Sequence, residues 1–195
     1  MEIATKDVRT ARENEWVEKI QGGKKGGFEG LYRFYYSRLC QFSFRYVKSK
    51  AAAEDVVHNV FHRVWKNRKG LKKNGKLRAY LYTAVRNESL KNLNQRKKDA
   101  FAGLDDLTFL ESREAGPDQK MNGKEFEQAI QIAIGKLPER RRSIFLMSRE
   151  DDLTYREIAE ILDISIKTVE TQMSRSLKHL RKELAHFISP EGISI

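Results

Sequence analysis

Apolar residues recur every three or four positions over long stretches of the chain, the rhythm of helices that each bury one face. Phe28, Leu31, Tyr32, Tyr35, Leu39, Phe42 and Tyr46 form the first stripe, and Ala53, Val56, Val57, Val60, Phe61, Val64 and Trp65 the second. After a polar break over residues 67–76, Leu77, Tyr80, Leu81, Ala84 and Val85 open a third helix that turns strongly basic by Lys98. From residue 99 to 122 the rhythm fades, and Gly103, Gly116, Pro117 and Gly123 interrupt what remains, which predicts an extended linker. It resumes at Phe126, Ala129, Ile130, Ala133, Ile134 and Leu137, and Pro138 marks a boundary before residues 144–147. Strict alternation never lasts long enough for a half-buried strand. The pattern predicts an all-α fold of two small helical domains joined by a flexible acidic linker.

The C-terminal stretch adds signals of local structure. Thr154 and Glu157 have capping-box spacing, in which a hydroxyl and a carboxylate three residues apart satisfy the free amides of a starting helix. That short helix runs on through Ile158 and Ala159 to Leu162, and residues 163–165 form a turn with Ser165 placed to cap a second helix. The second helix buries Val169, Met173, Leu177 and Leu180, and the small Ala159 permits a close crossing. Asp163 occupies the turn position where glycine is usual, and aspartate tolerates a left-handed backbone better than most residues. Two short helices about a tight turn make a helix-turn-helix. The outward side of its second helix carries Lys167, Thr168, Glu170, Thr171, Gln172, Ser174, Arg175 and Lys178, side chains able to reach phosphates and base edges in a major groove.

Charge divides the chain in the same places. The 195 residues carry a formal net charge of +11, which points to a polyanionic partner. Residues 24–98 hold 20 Lys and Arg against four acids, whereas residues 99–125 hold seven acids against three bases. These shifts suggest an N-terminal extension at 1–23, a basic domain at 24–98, a linker at 99–125, a second domain at 126–188 and a tail at 189–195. The glycines at 22, 23, 26 and 27 read as a flexible joint, because they lack phosphate-loop spacing and follow no strand. Cys40 is the only cysteine, so neither an internal disulfide nor a thiolate zinc site can form. His58 and His62 have zinc-protease spacing, but asparagine stands in the general-base position and no third ligand is evident. We therefore expect no catalytic residues, no metal and no cofactor. With no signal-peptide core and no long apolar run, the chain is expected to be soluble, cytoplasmic and not inserted in a membrane.

Residues 137–146 (Leu137-Pro-Glu-Arg-Arg-Arg-Ser-Ile-Phe-Leu146), 153–162 and 167–175 together resemble region four of extracytoplasmic-function sigma factors. Response regulators of the helix-turn-helix type share part of this pattern and are the alternative reading. Residues 28–47, 53–65 and 77–87 resemble successive helices of region two of the same family, in the same order and spacing. The resemblance implies a chain that binds core RNA polymerase through its β′ clamp helices and β flap, reads promoter DNA and assists its melting, and is held by an anti-sigma factor. It implies that region four contacts the minus-thirty-five element, and that Asp55, His58, Asn59, Arg63 and Trp65 face the polymerase. It makes residues 67–76 the loop that captures a flipped minus-ten base, with Lys72, Lys73 and Asn74 in contact. The following helix would add Arg78, Tyr80, Tyr82, Arg86, Asn87, Lys91, Asn94, Arg96 and Lys97, cations for phosphates beside rings on which unstacked bases can rest. Spacing allows either tyrosine to be core instead. Three positions depart from the family: His58-Asn59 stands for Gln-Glu or Gln-Asp, Tyr80 for tryptophan, and Glu170 for a frequent lysine.

Overall fold

The computed structural model describes residues 2–73, 75–102 and 121–188, and among them every regular element is helical. The chain divides into two compact units, the first built on the helices before the undescribed stretch 103–120 and the second on those after it.

Four long helices make the first unit: α1 (Glu2–Gln21), α2 (Lys25–Val47), α3 (Lys50–Lys66) and α4 (Leu77–Ala102). Helix α2 is the centre, packed against each of the other three, and α3 also packs against α4. Its buried stripe of Leu31, Tyr35, Leu39 and Phe42 meets Val56, Val60 and Val64 of α3 and Leu81, Tyr82 and Val85 of α4 in one core. Each such side chain contributes about 1.5–3 kcal/mol when fully withdrawn from water. The turn from α2 to α3 is only two residues long. Lys48 closes α2 in a left-handed conformation with φ 53°, its amide donating to the Phe44 carbonyl, and Ser49 caps α3 by accepting from the Ala52 amide. Deep in the core, Ser43 and Ser89 share a hydrogen bond of 2.9 Å that joins α2 to α4.

The N-terminal segment differs from the sequence expectation. What charge suggested to be a polar extension is α1, and its Val17 and Ile20 are fully buried in the first unit. Trp16 tilts against Phe34 at a centroid distance of 5.5 Å. Of the glycine cluster, Gly27 is a contact surface and not part of a joint. Gly22 and Gly23 make the turn, but Gly27 lies within α2, where an added Cβ would come 2.5 Å from Lys19 Cβ and 3.0 Å from the Trp16 carbonyl. A Cβ on Gly30 would meet the Trp16 indole nitrogen at 2.6 Å. At Gly27 the two helices cross too closely for any side chain larger than hydrogen, and Gly30 makes room for the Trp16 indole.

The second unit is built from α5 (Met121–Gly135), α6 (Glu139–Arg149), α7 (Tyr155–Leu162), α8 (Ile166–Glu183) and a single turn, α9 (Ala185–Ile188). Helix α8 is its spine, packed against α5, α6 and α9. Ile144 and Met147 from α6, Ile158 from α7, and Val169 and Met173 from α8 are almost wholly buried. Helix α4 runs four residues beyond the expected start of the linker and α5 begins earlier than expected, while the rest of the linker and the tail from 189 lie outside the described residues.

The glycine crossing yields a contrast. Gly27→Ala should destabilise the first unit by about 1–3 kcal/mol through overpacking. Gly26→Ala, with open space around its Cβ position, should be neutral or stabilise the helix by up to about 1 kcal/mol. Urea unfolding midpoints of the two variants check this, and equal shifts would contradict the close crossing.

Candidate nucleic-acid interface

Helix α4 sorts the expected first-unit residues by its own periodicity. Tyr82 is fully buried, edge-on to Phe42 at 4.9 Å, and Arg78 is only 4% exposed with its guanidinium 6.0 Å from the Tyr82 ring. Both were expected to contact DNA, and the structure corrects this: they lie on the face turned to α2, where the packing contacts are. Arg78 also acts electrostatically on the Tyr35 hydroxyl, which donates to the buried carboxylate of Glu13. Burial first, and Glu13 second, push the Tyr35 hydroxyl far above its ordinary range and keep it a neutral donor. The buried Glu13 carboxylate also has a cation on its own helix, Arg9 at 3.7 Å, which offsets the cost of its burial.

Tyr80 is the ring that faces outward, 44% exposed. Thr83, Asn87, Lys91 and Asn94 follow it along one side of α4 at spacings of three and four, so one stripe runs down the helix from its loop end. Asn87, Lys91 and Asn94 are exposed on this stripe. Arg86 is half-buried on a neighbouring face, and Arg96 emerges on the far side of the helix, away from Tyr80. Lys72 and Lys73 are exposed on the loop, while Asn74 and the side chain of Lys97 lie outside the described residues.

Sequence reasoning missed the residues of α1 that reach this loop. Gln21 donates its side-chain amide to the Leu71 carbonyl at 2.6 Å, and Glu18 pairs with Lys73 at 3.0 Å. The available signal was the spacing of Glu13, Trp16, Val17 and Ile20, which is helical but too sparse in apolar residues to stand out.

On α3, Asp55, His58, Asn59 and Arg63 are exposed and Trp65 is half-buried. They are not equally available. His58 stacks on Tyr36 at 5.5 Å and its Nε2 lies 3.1 Å from the Tyr32 hydroxyl, so α2 and α3 share an aromatic patch. Burial raises the Tyr32 and Tyr36 hydroxyls and the neighbouring Cys40 thiol above their ordinary values, which keeps all three protonated. Arg63 reaches across to Glu88 of α4 at 2.7 Å. Trp65 stands edge-on to Phe28 at 5.3 Å, with Arg68 over its ring at 4.9 Å.

In the second unit the expected capping box is present: the Thr154 oxygen accepts from the Glu157 amide at 3.3 Å, and Glu157 accepts from the Thr154 amide at 2.8 Å. Asp163 takes the left-handed turn position at φ 54°, and the Ile164 amide donates to the Ala159 carbonyl at 3.0 Å. Ser165 caps α8 by accepting from the Thr168 amide at 3.0 Å. Two helices are thus locked about a tight turn, the helix-turn-helix geometry. With Val169, Met173, Ser176 and Leu180 buried, α8 presents Lys167, Glu170, Ser174, Arg175 and Lys178 to solvent. Lys167 and Glu170 pair with each other at 3.5 Å, and three more of the expected contacts have hydrogen-bond partners inside the unit. Thr168 shares a hydrogen bond with Ser165, Thr171 donates to the Lys167 carbonyl, and Gln172 accepts from Arg141 of α6 at 3.4 Å.

The profile for Sigma-70 region 2 matches residues 31–99, and that for Sigma-70 region 4 matches residues 127–180. The ECF RNA polymerase sigma factor SigW of Bacillus subtilis is 27% identical over 176 residues, covering 86% of this chain and 94% of that protein. The RNA polymerase sigma-H factor of Pseudomonas aeruginosa is 23% identical, covering 89% and 94%. Among solved structures, CnrH in complex with the cytosolic domain of CnrY shares the fold at a TM-score of 0.60 and 18% identity, covering 90% of this chain and 98% of that one. The sigma factor RpoE in complex with the anti-sigma factor NepR, from Bartonella quintana, aligns at 0.57 and 18% identity, covering 81% and 96%.

The turn itself can be tested. Thr154→Ala removes one cap and should cost the second unit about 1 kcal/mol. Asp163→Gly relieves a left-handed non-glycine residue and should restore a comparable amount. Thermal melting of the single and double variants reads both effects, and a destabilising Asp163→Gly would mean that the aspartate side chain has a role beyond the turn.

Proposed function

The chain belongs to the sigma-70 family, as an extracytoplasmic-function sigma factor with region 2 in its first unit and region 4 in its second, and from that premise we propose how its residues divide the work of transcription initiation. The α4 stripe carries this reading: an exposed aromatic ring, amides and a cation in line beside a lysine-bearing loop suit a single strand better than a duplex.

Helix α3 docks on the β′ clamp helices of core RNA polymerase through Asp55, His58 and Asn59, with Trp65 at the margin, and the second unit meets the β flap. Arg63 contributes by holding α3 to α4, since its guanidinium is engaged by Glu88. Helix α8 enters the major groove of the minus-thirty-five element with Arg175, Lys178, Ser174 and Lys167 foremost. Gln172 joins them at the cost of its bond to Arg141, and Glu170, paired with Lys167 at 3.5 Å, tempers that cation. Thr168 and Thr171 serve the helix first and the DNA second.

Melting follows from differential binding. Tyr80 can stack on a base only once that base has left the duplex, and Lys72, Lys73 and Lys91 then hold the phosphates of the separated strand. Interactions made only in the open state shift the equilibrium toward it, so strand opening requires no bond-making chemistry from this chain. The protein works in the cytoplasm, and among its described residues no helix is long and apolar enough to cross a membrane. The aromatic patch of Tyr32, Tyr36 and His58 lies next to the polymerase face, a natural target for an anti-sigma factor that competes with the polymerase. CnrH and RpoE were solved with partners of that kind or with a cytosolic domain bound. A response regulator would bring a phosphoacceptor domain where this chain has region 2, so that alternative is not favoured.

Capture of core polymerase followed by promoter-dependent run-off transcription tests the whole reading, and failure to bind core enzyme ends it. Within it, Tyr80→Ala should reduce open-complex occupancy by about 1–3 kcal/mol, read as permanganate reactivity of promoter thymines, with thermal stability unchanged. Tyr82→Ala should instead lower thermal stability by about 3–5 kcal/mol, as expected for a buried ring. Arg175→Ala should relax minus-thirty-five selectivity by roughly 1–3 kcal/mol and leave core affinity intact.

A further inference from the structure

We propose that α1 is the brace of the base-capturing loop, and that Gln21 is a positioning residue for base selection at the minus-ten element. This deepens the reading of residues 67–76 as that loop, and rests on it.

The loop is poorly equipped to hold its own shape. Beyond a single turn at Arg68–Gly70, the Leu71 amide donates to the Arg68 carbonyl at a long 3.3 Å, and Gly75 sits in the left-handed region at φ 68°. Arg68 ties its start to α3 through the Trp65 carbonyl at 3.1 Å, and α1 restrains its described residues further on at three points. Gln21 donates to the Leu71 carbonyl at 2.6 Å, Glu18 holds the Lys73 ammonium at 3.0 Å, and the Thr10 methyl lies 3.2 Å from where a Cβ of Gly75 would stand. Thr10 and Gln21 share one face of α1, three turns apart, so a single helix edge spans the loop from its start to its end.

That edge is itself anchored. Gly27 lets α1 sit against α2 at backbone distance, Gly30 makes room for the Trp16 indole, and the buried Glu13 accepts from Tyr35 of α2. Position therefore passes from α2, which also carries α4, through α1 to the loop. A loop ordered before the base arrives loses less conformational entropy on binding and holds its contacts in register, which is what separates one base from another. Of the three restraints, the Gln21 bond is directional and part-buried, whereas the Glu18 pair is exposed and screened.

The test uses holoenzyme reconstituted from core polymerase and the full chain, with a randomised pool of single-stranded DNA as probe. Bound strands are sequenced for base preference, and the pool's overall affinity is measured separately. Gln21→Glu keeps the size and removes the donor, and Gln21→Arg restores an N–H. The expected result for Gln21→Glu is an about two- to tenfold loss of preference at one base position, the range one hydrogen bond supports. Core affinity and thermal melting should be unchanged, and preference should return in Gln21→Arg. Lys72→Ala, which leaves all three α1 restraints in place, is the control for the loop itself and should lower pool affinity without changing preference. If that control lowers affinity while Gln21→Glu selects the wild-type pool, the brace is overturned and the loop reading stands. If the control leaves affinity unchanged, the loop reading fails and the brace falls with it. A Gln21→Glu that loses stability and core binding together, unrepaired by Gln21→Arg, would make α1 a structural strap and overturn the positioning role.

Discussion

Helix α4 has to satisfy two environments on one cylinder, and the first unit is organised around that demand. Once Leu81, Tyr82, Val85 and Ser89 are turned toward α2, the rotation of the helix is fixed, and with it the direction of every other side chain on it. The stripe from Tyr80 to Asn94 is therefore not placed by any contact of its own. It is aimed by the core behind it. A one-residue error in that packing would bury Lys91 and expose Val85, so the core specifies the outer surface as firmly as it specifies the fold.

The same logic runs through α1 and α2 by a different device. Side chains usually set the distance between helices, but at Gly27 their absence does. Close approach brings Glu13 and Tyr35 into a buried hydrogen bond and carries the end of α1 to the loop before α4. In the second unit hydrogen bonds take the place of close packing. Two caps and one left-handed aspartate fix the angle between α7 and α8, and the apolar core needs only to fill the space they define.

Much of this was legible in the chain. The strong three-and-four periodicity located α2, α3 and the start of α4, because long apolar stripes have few other solutions. The capping box and the Ser165 cap were readable because they depend on local geometry alone. Sequence could not decide between Tyr80 and Tyr82, which sit two residues apart with the same chemistry, since the rotation of α4 is set by its neighbours. It also put Arg78 on the surface by charge, although the residue lies buried with its guanidinium near the Tyr82 ring. Gly27 was misjudged for a related reason: glycine marks both freedom and close contact, and only the second helix tells them apart. Helix α1 escaped notice because its buried face is small and partly polar.

Helix α8 keeps its two duties on separate faces: Val169, Met173 and Leu180 hold the unit together, while Ser174, Arg175 and Lys178 do not enter its core. Mutation at the outer positions is thus almost free of folding consequences. After gene duplication, one copy can drift at those sites toward new targets while the scaffold stays intact, and daughter proteins can come to command different genes without passing through an unfolded ancestor. Under the proposed division of work, helix α4 has less of this liberty, because its outer stripe would serve an act common to all promoters, the parting of the strands. Divergence within such a lineage should therefore accumulate faster on the outer face of α8 than on that of α4.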